Sequence, residues 1–290
     1  MILLLGGSGF IGSAFRRQLE RSQIQYRSVS RSTCDYTKCD QLVALIRESK
    51  ASFLINAAGY TGKPNVDACE VHKADCLLGN AVLPGVVRQA CELCDLPWGH
   101  VSSGCIYRGC RADGGGFIEN DVPNFCFRSP PCSFYSGCKA LGEECLDGAD
   151  LTYIWRLRIP FDQCDGERNY LSKLQRYDRL LNATNSISHL GEFVVACLQS
   201  WQQRIEPGIY NVVNPGAVST QEVCDLIREH LLQDKRFRFF DDEKEFMQLA
   251  ASAPRSSCVL SSKKITDAGI KLTEVHDAIE FALKNWSRSR

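Results

Sequence analysis

A tyrosine and a lysine four residues apart are the side chains of this sequence with the clearest capacity for chemistry. On a helix, the spacing of Tyr135 and Lys139 places both on one face. A lysine cation lowers the pKa of a nearby tyrosine, which can then donate a proton to a carbonyl oxygen while a hydride reaches the carbon. Ser103 ends a short apolar segment and can hydrogen-bond the same oxygen. The pattern YxxxK is common by chance, so this interpretation depends on the elements around it.

The first of those elements is a glycine-rich turn near the amino end. It follows the apolar run 2–5 and precedes an amphipathic helical pattern. In such a turn the first glycine permits a tight bend, the second admits a pyrophosphate, and the third lets helix and strand pack closely. The helix N-terminus then faces the phosphates. This context predicts a dinucleotide site, the alternative being a purely structural turn. The residues assigned to it are Gly6, Ser8, Gly9, Phe10, Ile11 and Gly12.

The end of the second predicted strand distinguishes the two nicotinamide dinucleotides. An NAD site usually has Asp or Glu there to bind the ribose hydroxyls, whereas this chain has Ser30 and Arg31. A guanidinium suits the 2′-phosphate, so we expect NADP(H) as cofactor. A solvated surface arginine is the alternative. Asp35 is expected near the adenine, and Lys139 is expected to hold the nicotinamide ribose as well as to assist Tyr135.

Short apolar runs alternate with helical patterns through the first half of the chain. Strands are predicted at 2–5, 26–29, 53–56, 98–102 and 153–158, and helices at 12–22, 39–49, 74–94 and 135–147. This alternation predicts an α/β protein with a Rossmann-type doubly wound parallel sheet. After about residue 160, a strand at 208–212 mixes with helices at 220–231 and 274–285. We therefore expect an NADP-binding domain over 1–160 and a smaller C-terminal, mainly substrate-binding lobe over 161–290, with the chain interweaving between them.

The composition excludes several classes of function. The 290 residues are 44% hydrophobic and 23% charged, which fits a globular protein, and the formal net charge is zero. A basic surface for nucleic acid is therefore not indicated. No apolar run approaches the ~20 residues of a membrane helix, and residues 1–5 are interpreted as a buried strand rather than a signal peptide. The expected location is the cytoplasm, without a membrane or nucleic-acid partner. A homodimer is left open.

Sixteen cysteines would suggest disulfides in a secreted chain. Many of them fall within apolar periodic stretches here, so they are interpreted as reduced, small hydrophobic residues. Cys91 and Cys94 have CxxC spacing, but no second pair is suitably placed. No metal site is expected.

The combined motifs resemble the extended short-chain dehydrogenases/reductases. Within that group, the chain is similar to dTDP-4-dehydrorhamnose reductases and to the plant UDP-4-keto-6-deoxyglucose 3,5-epimerase/4-reductases of UDP-rhamnose synthesis. Segment 61–67, Thr-Gly-Lys-Pro-Asn-Val-Asp, is the most specific part of the likeness. Ser103 stands where a threonine is usual, and region 107–116 departs from the plant pattern. The other similar segments are 55–60, 103–107, 123–125, 133–136, 169–177, 208–216 and 253–256.

This resemblance implies roles for further residues. Ala57, Ala58, Gly59 and Asn80 would lie at the cofactor, beside the reductase residues. Cys105 and Lys173 match the acid/base pair of the 3,5-epimerase/4-reductases, in which a thiolate removes a proton next to the 4-keto group and a lysine returns one on the opposite face. The alternatives are a packed cysteine and a solvated loop lysine.

The resemblance also implies a nucleotide-sugar substrate, and diphosphates need cations and backbone donors. Arg255 would lie near the diphosphate, while Lys63, Asn65, Asn124 and Asn169 would line the sugar. Three interpretations stay open: a bifunctional 3,5-epimerase/4-reductase, a 4-reductase only, and a non-catalytic NADP-binding regulatory subunit. The last is disfavoured because the Ser/Tyr/Lys set is complete.

Overall fold

A six-stranded parallel sheet forms the centre of the molecule in the computed structural model, which describes residues 1–63 and 65–287. Its strand order is β2-β1-β3-β4-β5-β9, and four shorter strands form two small two-stranded sheets, β6 with β8 and β7 with β10. The strands are β1 (Ile2–Leu5), β2 (Tyr26–Val29), β3 (Phe53–Asn56), β4 (Trp98–Ser103), β5 (Thr152–Leu157), β6 (Pro160–Phe161), β7 (Thr184–Asn185), β8 (Ser188–His189), β9 (Gly208–Asn211) and β10 (Val218–Ser219).

Helices cover both faces of the large sheet. Those of the first half are α1 (Phe10–Arg21), α2 (Cys39–Ser49), α3 (Ala68–Val71), α4 (Lys73–Leu77), α5 (Leu83–Glu92) and α6 (Phe134–Glu144). A π-helix (Leu78–Val82) lies between α4 and α5, and a 3₁₀ helix (Gly104–Ile106) follows β4. Those of the second half are α7 (Tyr170–Arg176), α8 (Leu190–Gln202), α9 (Thr220–His230), α10 (Glu243–Leu249), α11 (Lys263–Asp267) and α12 (Val275–Lys284).

Alternation along β1 shows how the sequence builds the two faces. Ile2 and Leu4 pack in a core with α1 and α8, whereas Leu3 and Leu5 pack in a second core with α2 and α5. Successive side chains of a strand point to opposite faces, so a strand covered by helices on both sides is apolar throughout. The predicted Rossmann-type doubly wound α/β fold is confirmed.

The strand order reverses beside β1, which has β2 on one side and β3 on the other. In open α/β sheets, ligands bind in the crevice at the carboxyl ends of the strands where this reversal occurs. Two loops meet there, the glycine turn after β1 and the segment after β3. Gly6 has a φ of +75°, and a Cβ atom on it would lie 2.5 Å from the backbone nitrogen of Ala58. Only a glycine lets these loops approach so closely.

The second half of the chain contributes to the large sheet and also builds a core of its own. β9 pairs with β5, and α8 packs beside α1. A separate apolar cluster joins α7, α9 and α12. The chain after β6 therefore returns to the sheet before it completes the second core. The division into cofactor-binding and substrate-binding parts near residue 160 stays a prediction.

The cysteines behave as small apolar side chains. All sixteen are free thiols, and nine of them are buried. Within residues 1–63 and 65–287, no three side chains of His, Cys, Asp or Glu are arranged to hold a metal ion. None of the helices in the described part of the chain is both long and apolar enough to span a bilayer.

Candidate active site

One cavity of about 510 Å³ lies at the carboxyl ends of the sheet strands. It brings together thirteen of the residues singled out from the sequence, although their segments are spread over most of the chain. They are Ser8, Gly9, Phe10, Ile11, Ala57, Ala58, Gly59, Lys63, Asn80, Ser103, Tyr135, Lys139 and Lys173.

The glycine turn forms the end of this cavity next to β1. A Cβ atom on Gly12 would lie 2.0 Å from the carbonyl oxygen of Gly6, so the turn requires glycine at this position. Gly9 is the N-cap of α1 and has no side chain to cap the first turn of the helix. The amide groups of that turn are consequently available to an anionic ligand. This arrangement fits the pyrophosphate of a dinucleotide.

Ser30, Arg31 and Asp35 lie outside the cavity lining, in the turns that follow β2. The side chains of Ser30 and Arg31 are exposed, and the Ser30 carbonyl accepts a hydrogen bond from Thr33 N at 3.1 Å. Hydrogen bonds from Thr37 hold the pKa of the Asp35 carboxyl below its usual value. The exposed Arg31 guanidinium is accessible to a 2′-phosphate. Its role and that of Asp35 stay predictions.

Tyr135 and Lys139 lie on α6, which begins where the Ser133 hydroxyl accepts a hydrogen bond from Ser136 N. Burial raises the pKa of Tyr135 well above its usual value, although a hydrogen bond with Ser103 opposes the shift. Burial also lowers the pKa of Lys139, whose Nζ donates to Val101 O at 3.2 Å. Burial therefore dominates in the ligand-free site, and Tyr135 carries its proton, as a general acid must.

Asn80 reaches the same region from the π-helix. Its Nδ2 donates to Tyr60 O at 2.6 Å and its Oδ1 accepts from Tyr60 N at 3.3 Å, so one amide holds the chain just after Gly59. A Cβ atom on Gly59 would lie 3.0 Å from Asn80 Oδ1 and 3.8 Å from Lys139 Nζ. The single π turn shifts the helix register, a feature frequent at functional sites. Here it places a fully buried amide between the cofactor loop and the lysine.

Cys105 and Lys173 are placed differently with respect to the cavity. Cys105 is buried in the 3₁₀ helix after β4, and the structure does not bring it to the cavity lining. Its backbone nitrogen donates to Ser103 Oγ at 3.2 Å, and burial raises the pKa of its thiol. Lys173 lines the cavity from α7. Burial lowers the pKa of Lys173, and the nearby cations Arg168 and Arg255 lower it further.

Two of the residues expected near the sugar form hydrogen bonds with the backbone outside the cavity lining. The exposed Asn124 pairs with the backbone of Arg108, accepting from its nitrogen at 2.8 Å and donating to its oxygen at 3.0 Å. The buried Asn169 caps α7, accepting from Leu171 N while its Nδ2 donates to Asp162 O and Cys164 O. Neither residue lines the cavity, and their roles at the sugar stay predictions.

Arg255 and Asn65, which were also expected to contact the substrate, lie outside the cavity lining and both contact Asp67. Arg255 makes a two-pronged ion pair with Asp67, at 2.7 and 2.6 Å, and Asn65 Oδ1 accepts from Asp67 N at 2.8 Å. Arg255 lies near enough to Lys173 to lower the pKa of that lysine, and its guanidinium is bound to a carboxylate of the chain itself. The role of Arg255 at a diphosphate stays a prediction.

Sequence reasoning missed Arg168, which lines the cavity from the loop before α7. Its Nη2 donates to Gly62 O at 2.6 Å and its Nη1 to Thr61 Oγ1 at 3.2 Å. The two donors attach the loop before α3 to the second half of the chain. A lone arginine in a loop carries no pattern of its own. The available signal was its position, directly before segment 169–177.

A doubly wound sheet, a glycine turn at its reversal point, and serine, tyrosine and lysine side chains in one cavity define a short-chain dehydrogenase/reductase fold. Within this class, the chain belongs to the family described as RmlD substrate binding domain, whose model matches residues 1–288.

Two relatives from Arabidopsis thaliana are each 30% identical over 282 residues, which is 96% of this chain. One is the bifunctional dTDP-4-dehydrorhamnose 3,5-epimerase/dTDP-4-dehydrorhamnose reductase, of which the match covers 90%. The other is a trifunctional UDP-glucose 4,6-dehydratase/UDP-4-keto-6-deoxy-D-glucose 3,5-epimerase/UDP-4-keto-L-rhamnose-reductase. The chain spans only 41% of the length of that protein.

Solved structures agree with this fold. The UDP-rhamnose synthase of Acanthamoeba polyphaga mimivirus superposes with a TM-score of 0.90 at 23% identity, covering 98% of both chains. The dTDP-4-dehydrorhamnose reductase of Bacillus anthracis, solved in complex with NADP, has a TM-score of 0.81 at 18% identity, covering 98% of this chain and 97% of the other.

Proposed function

We propose that this protein is an NADPH-dependent reductase of a nucleotide-linked 4-keto-6-deoxy hexose. The observation that carries the proposal is the meeting of Ser103, Tyr135 and Lys139 in the cavity that the glycine turn closes. A polar set of this kind, next to a dinucleotide-binding turn, suits the reduction of a carbonyl group. The matching family and the bifunctional Arabidopsis relative support the same reaction class.

The cavity residues fit NADP(H) by their shape and charge. The glycine turn leaves room for the pyrophosphate, Lys139 has a buried ammonium beside the sheet, and Arg31 is exposed beyond β2. When bound, the cofactor supplies the hydride. Tyr135 donates its proton to the oxygen at carbon 4, and Ser103 holds that oxygen in place. The product is an alcohol, and Tyr135 regains its proton from solvent.

The proposed nucleotide-sugar substrate is supported by cationic side chains in the cavity and by the names of related proteins. Lys63, Arg168 and Lys173 line one cavity, which gives a diphosphate-linked sugar the charged partners that it needs. The relatives include one named for a dTDP-linked substrate and one named for UDP-linked substrates. UDP-4-keto-6-deoxyglucose derivatives are our first choice, and dTDP-4-dehydrorhamnose is the alternative.

A second activity, 3,5-epimerisation, is proposed for the same cavity. Its support is the position of Lys173 in the lining, the lowered pKa of that lysine, and the likeness to the bifunctional Arabidopsis protein. Cys105 is the proposed base. It lies two residues beyond Ser103, and it would act as the thiolate, which its buried position disfavours. The epimerase proposal therefore depends on Cys105, whereas the reductase proposal does not involve this residue.

Incubation of the purified protein with NADPH and a UDP-4-keto-6-deoxyglucose preparation tests both activities. We expect oxidation of NADPH and, by NMR, a sugar reduced at carbon 4. Inverted centres at carbons 3 and 5 would support the bifunctional proposal, and uninverted centres would leave a reductase only. A parallel incubation with the dTDP-linked ketone decides between the nucleotides. Absence of NADPH oxidation with either ketone would contradict the proposed function.

A further inference from the structure

Three consecutive residues at the end of β4 pair with three residues of α6 that are four positions apart. Residues at this spacing lie above one another on one face of a helix, so the helix is attached to the strand along its length. The pairs are Ser103 with Tyr135, Val101 O with Lys139 Nζ, and Ser102 Oγ with Glu143 Oε1. The first two pairs contain the proposed reductase residues, and the third contains a carboxylate with no assigned role.

That carboxylate is the acceptor of a dense buried network. Ser102 Oγ donates to Glu143 Oε1 at 2.5 Å, and Arg156 of β5 donates from Nε at 3.0 and 3.1 Å and from Nη2 at 2.6 Å. Glu143 is 9% exposed and Arg156 is 2% exposed. Arg156 is itself held by Tyr107 Oη and by the carbonyl of Glu119. The carboxylate is therefore fixed in orientation on the strand side of α6.

We propose that Glu143 is a positioning residue of the reductase centre, which keeps α6 in register with the end of β4 and contributes to keeping the Lys139 ammonium charged. The effect of Glu143 on catalysis rests on the proposed function. Its effect on the position of α6 does not. A displacement of α6 along β4 would move Tyr135 and Lys139 together. Small displacements of this kind are costly because reacting groups have to be held within a fraction of an ångström.

Several groups around Lys139 act on its charge, and Glu143 is the carboxylate among them. β4 presents His100, and the 3₁₀ helix after it presents Cys105. α4 presents Cys76, and α6 itself presents Tyr135 and Cys138. His100 is fully buried, and burial lowers its pKa well below the usual value, so it carries no charge at neutral pH. Burial raises the pKa of the Cys105 thiol, whereas hydrogen bonds with Cys138 and Cys69 lower the pKa of Cys76, which therefore contributes negative charge near Lys139 as well. Cys105 and, after it, Glu143 raise the pKa of Lys139 and so oppose the effect of burial.

A buried ion pair that serves stability alone would explain the Glu143–Arg156 contact but not the other two observations. Such pairs often contribute little, because the loss of hydration offsets the attraction. Here the same carboxylate also accepts from the residue directly before Ser103 and faces the lysine one turn away. A role limited to stability would leave the protonation of Lys139 unaffected, and this difference can be measured.

The decisive experiment measures the pKa of Lys139 in the ligand-free protein by NMR of ¹³Cε-labelled lysine, with the resonance assigned from its loss in Lys139→Met. In Glu143→Gln we expect this pKa to fall by about one pH unit, the scale of one nearby charge at intermediate dielectric. Glu119→Gln is the matched control, since it neutralises another buried carboxylate near Arg156 that does not lie on α6. It should leave the Lys139 pKa at the parent value.

The result that would overturn the inference is an unchanged Lys139 pKa in Glu143→Gln, or an equal fall in both variants. If Glu143→Gln does not fold, Ser102→Ala provides the test. It removes one hydrogen bond and no charge, so the kcat for reduction should fall about tenfold while the KM for NADPH is unchanged. An unchanged kcat would overturn the positioning role. Failure of the parent protein to reduce any ketone would contradict the proposed function, yet the NMR measurement would still decide the inference.

Discussion

At the scale of single residues, the candidate site has one buried acid and one buried cation rather than a set of solvated groups. The raised pKa of Tyr135 keeps its proton available, and the lowered pKa of Lys139 limits the pH at which the ammonium persists. Both shifts have burial as their largest cause. The proposed chemistry therefore depends on how tightly the two side chains are enclosed, and much less on their exposed neighbours.

The preference between NADPH and NADH is expected to depend on one residue at the outer end of the site. Arg31 follows β2 with an exposed guanidinium, where an acidic residue would favour NAD. Arg31→Asp should reverse or erase a preference for NADPH over NADH, because it removes a partner of the 2′-phosphate and adds a repulsive charge. The ratio of kcat/KM values for the two cofactors measures this effect. Equal use of NADPH and NADH by the parent protein would contradict the assignment.

The proposed epimerisation depends on two single residues, Cys105 and Lys173. If Cys105 is the base, Cys105→Ser should abolish most exchange of the protons at carbons 3 and 5 with deuterated water, since a hydroxyl is a far weaker base than a thiolate. Lys173→Met should also reduce the exchange, at one carbon more than at the other. Mass spectrometry of the recovered sugar measures it.

The pH dependence of this exchange follows from the raised pKa of Cys105. At neutral pH the thiolate fraction is smaller than that of an ordinary cysteine, and it grows as pH rises, so exchange should increase with pH. Exchange by Cys105→Ser at the parent rate would make Cys105 a packing residue. No exchange by the parent protein, with reduction intact, would leave a 4-reductase only.

At the scale of elements, the contact between α6 and the π-helix places the catalytic helix. A Cβ atom on Gly142 would lie 2.1 Å from the backbone oxygen of Asn80, which cannot yield as a flexible side chain would. Gly142→Ala should destabilise the protein by about 1–3 kcal/mol and weaken NADPH binding, because α6 must move away from Asn80.

Gly85→Ala in α5 is the control for this change. Its added Cβ would lie 3.8 Å from Cys145 Cβ, an ordinary contact, so the better helix propensity of alanine should prevail. Thermal unfolding and NADPH titration of both variants measure the difference. Equal stability of the two variants would contradict the importance of this contact.

The elements also show what could be predicted from the sequence. Strands β1, β2 and β3 and helix α2 were predicted at their observed bounds, because buried apolar runs and one-sided helical periodicity are local signals. The continuous helix predicted at 74–94 contains a π turn, which depends on tertiary contacts of Asn80 and leaves no periodic mark. Helix α8 was not predicted. Its residues 193–198 form a continuous apolar run, and periodicity alone does not distinguish such a run in a helix from a buried strand.

In the candidate site, too, local motifs could be predicted from the sequence and tertiary contacts could not. The glycine turn and the YxxxK pair are short motifs, and the structure brings both to one cavity. The roles of Asn124 and Asn169 depend on which backbone groups lie beside them, which a sequence does not display. Arg168 and Asp67 acquire their partners across long sequence separations. Such contacts exist only once the two halves of the chain have met.

At the scale of the whole molecule, the second half of the chain holds the loop beside the cavity through two arginines. Arg168 contacts the backbone of Gly62, and Arg255 pairs with Asp67. A ligand bound between this loop, the glycine turn and α6 therefore contacts elements from both halves. Binding to the folded state alone must then stabilise the entire protein.

This linkage gives a prediction for cofactor binding. NADPH at one hundred times its Kd should stabilise the protein by about 2.7 kcal/mol, and a chain of this length should then unfold about 5 °C higher. NADH at the same concentration should produce a smaller shift, because it lacks the phosphate. Differential scanning fluorimetry over a series of cofactor concentrations measures both. A shift that is equal for the two cofactors, or absent, would contradict a specific NADP(H) site.

The proposed reaction transfers hydride from NADPH to carbon 4 of a nucleotide-linked keto sugar, with Tyr135 as the proton donor. NADPH deuterated at the reactive position of its nicotinamide tests it directly. We expect one deuterium at carbon 4 of the product sugar, found by mass spectrometry and NMR. We also expect a rate at least ~100-fold lower in Tyr135→Phe, with NADPH binding retained. A product without deuterium, or a Tyr135→Phe variant that reduces the ketone at the parent rate, would contradict the claim.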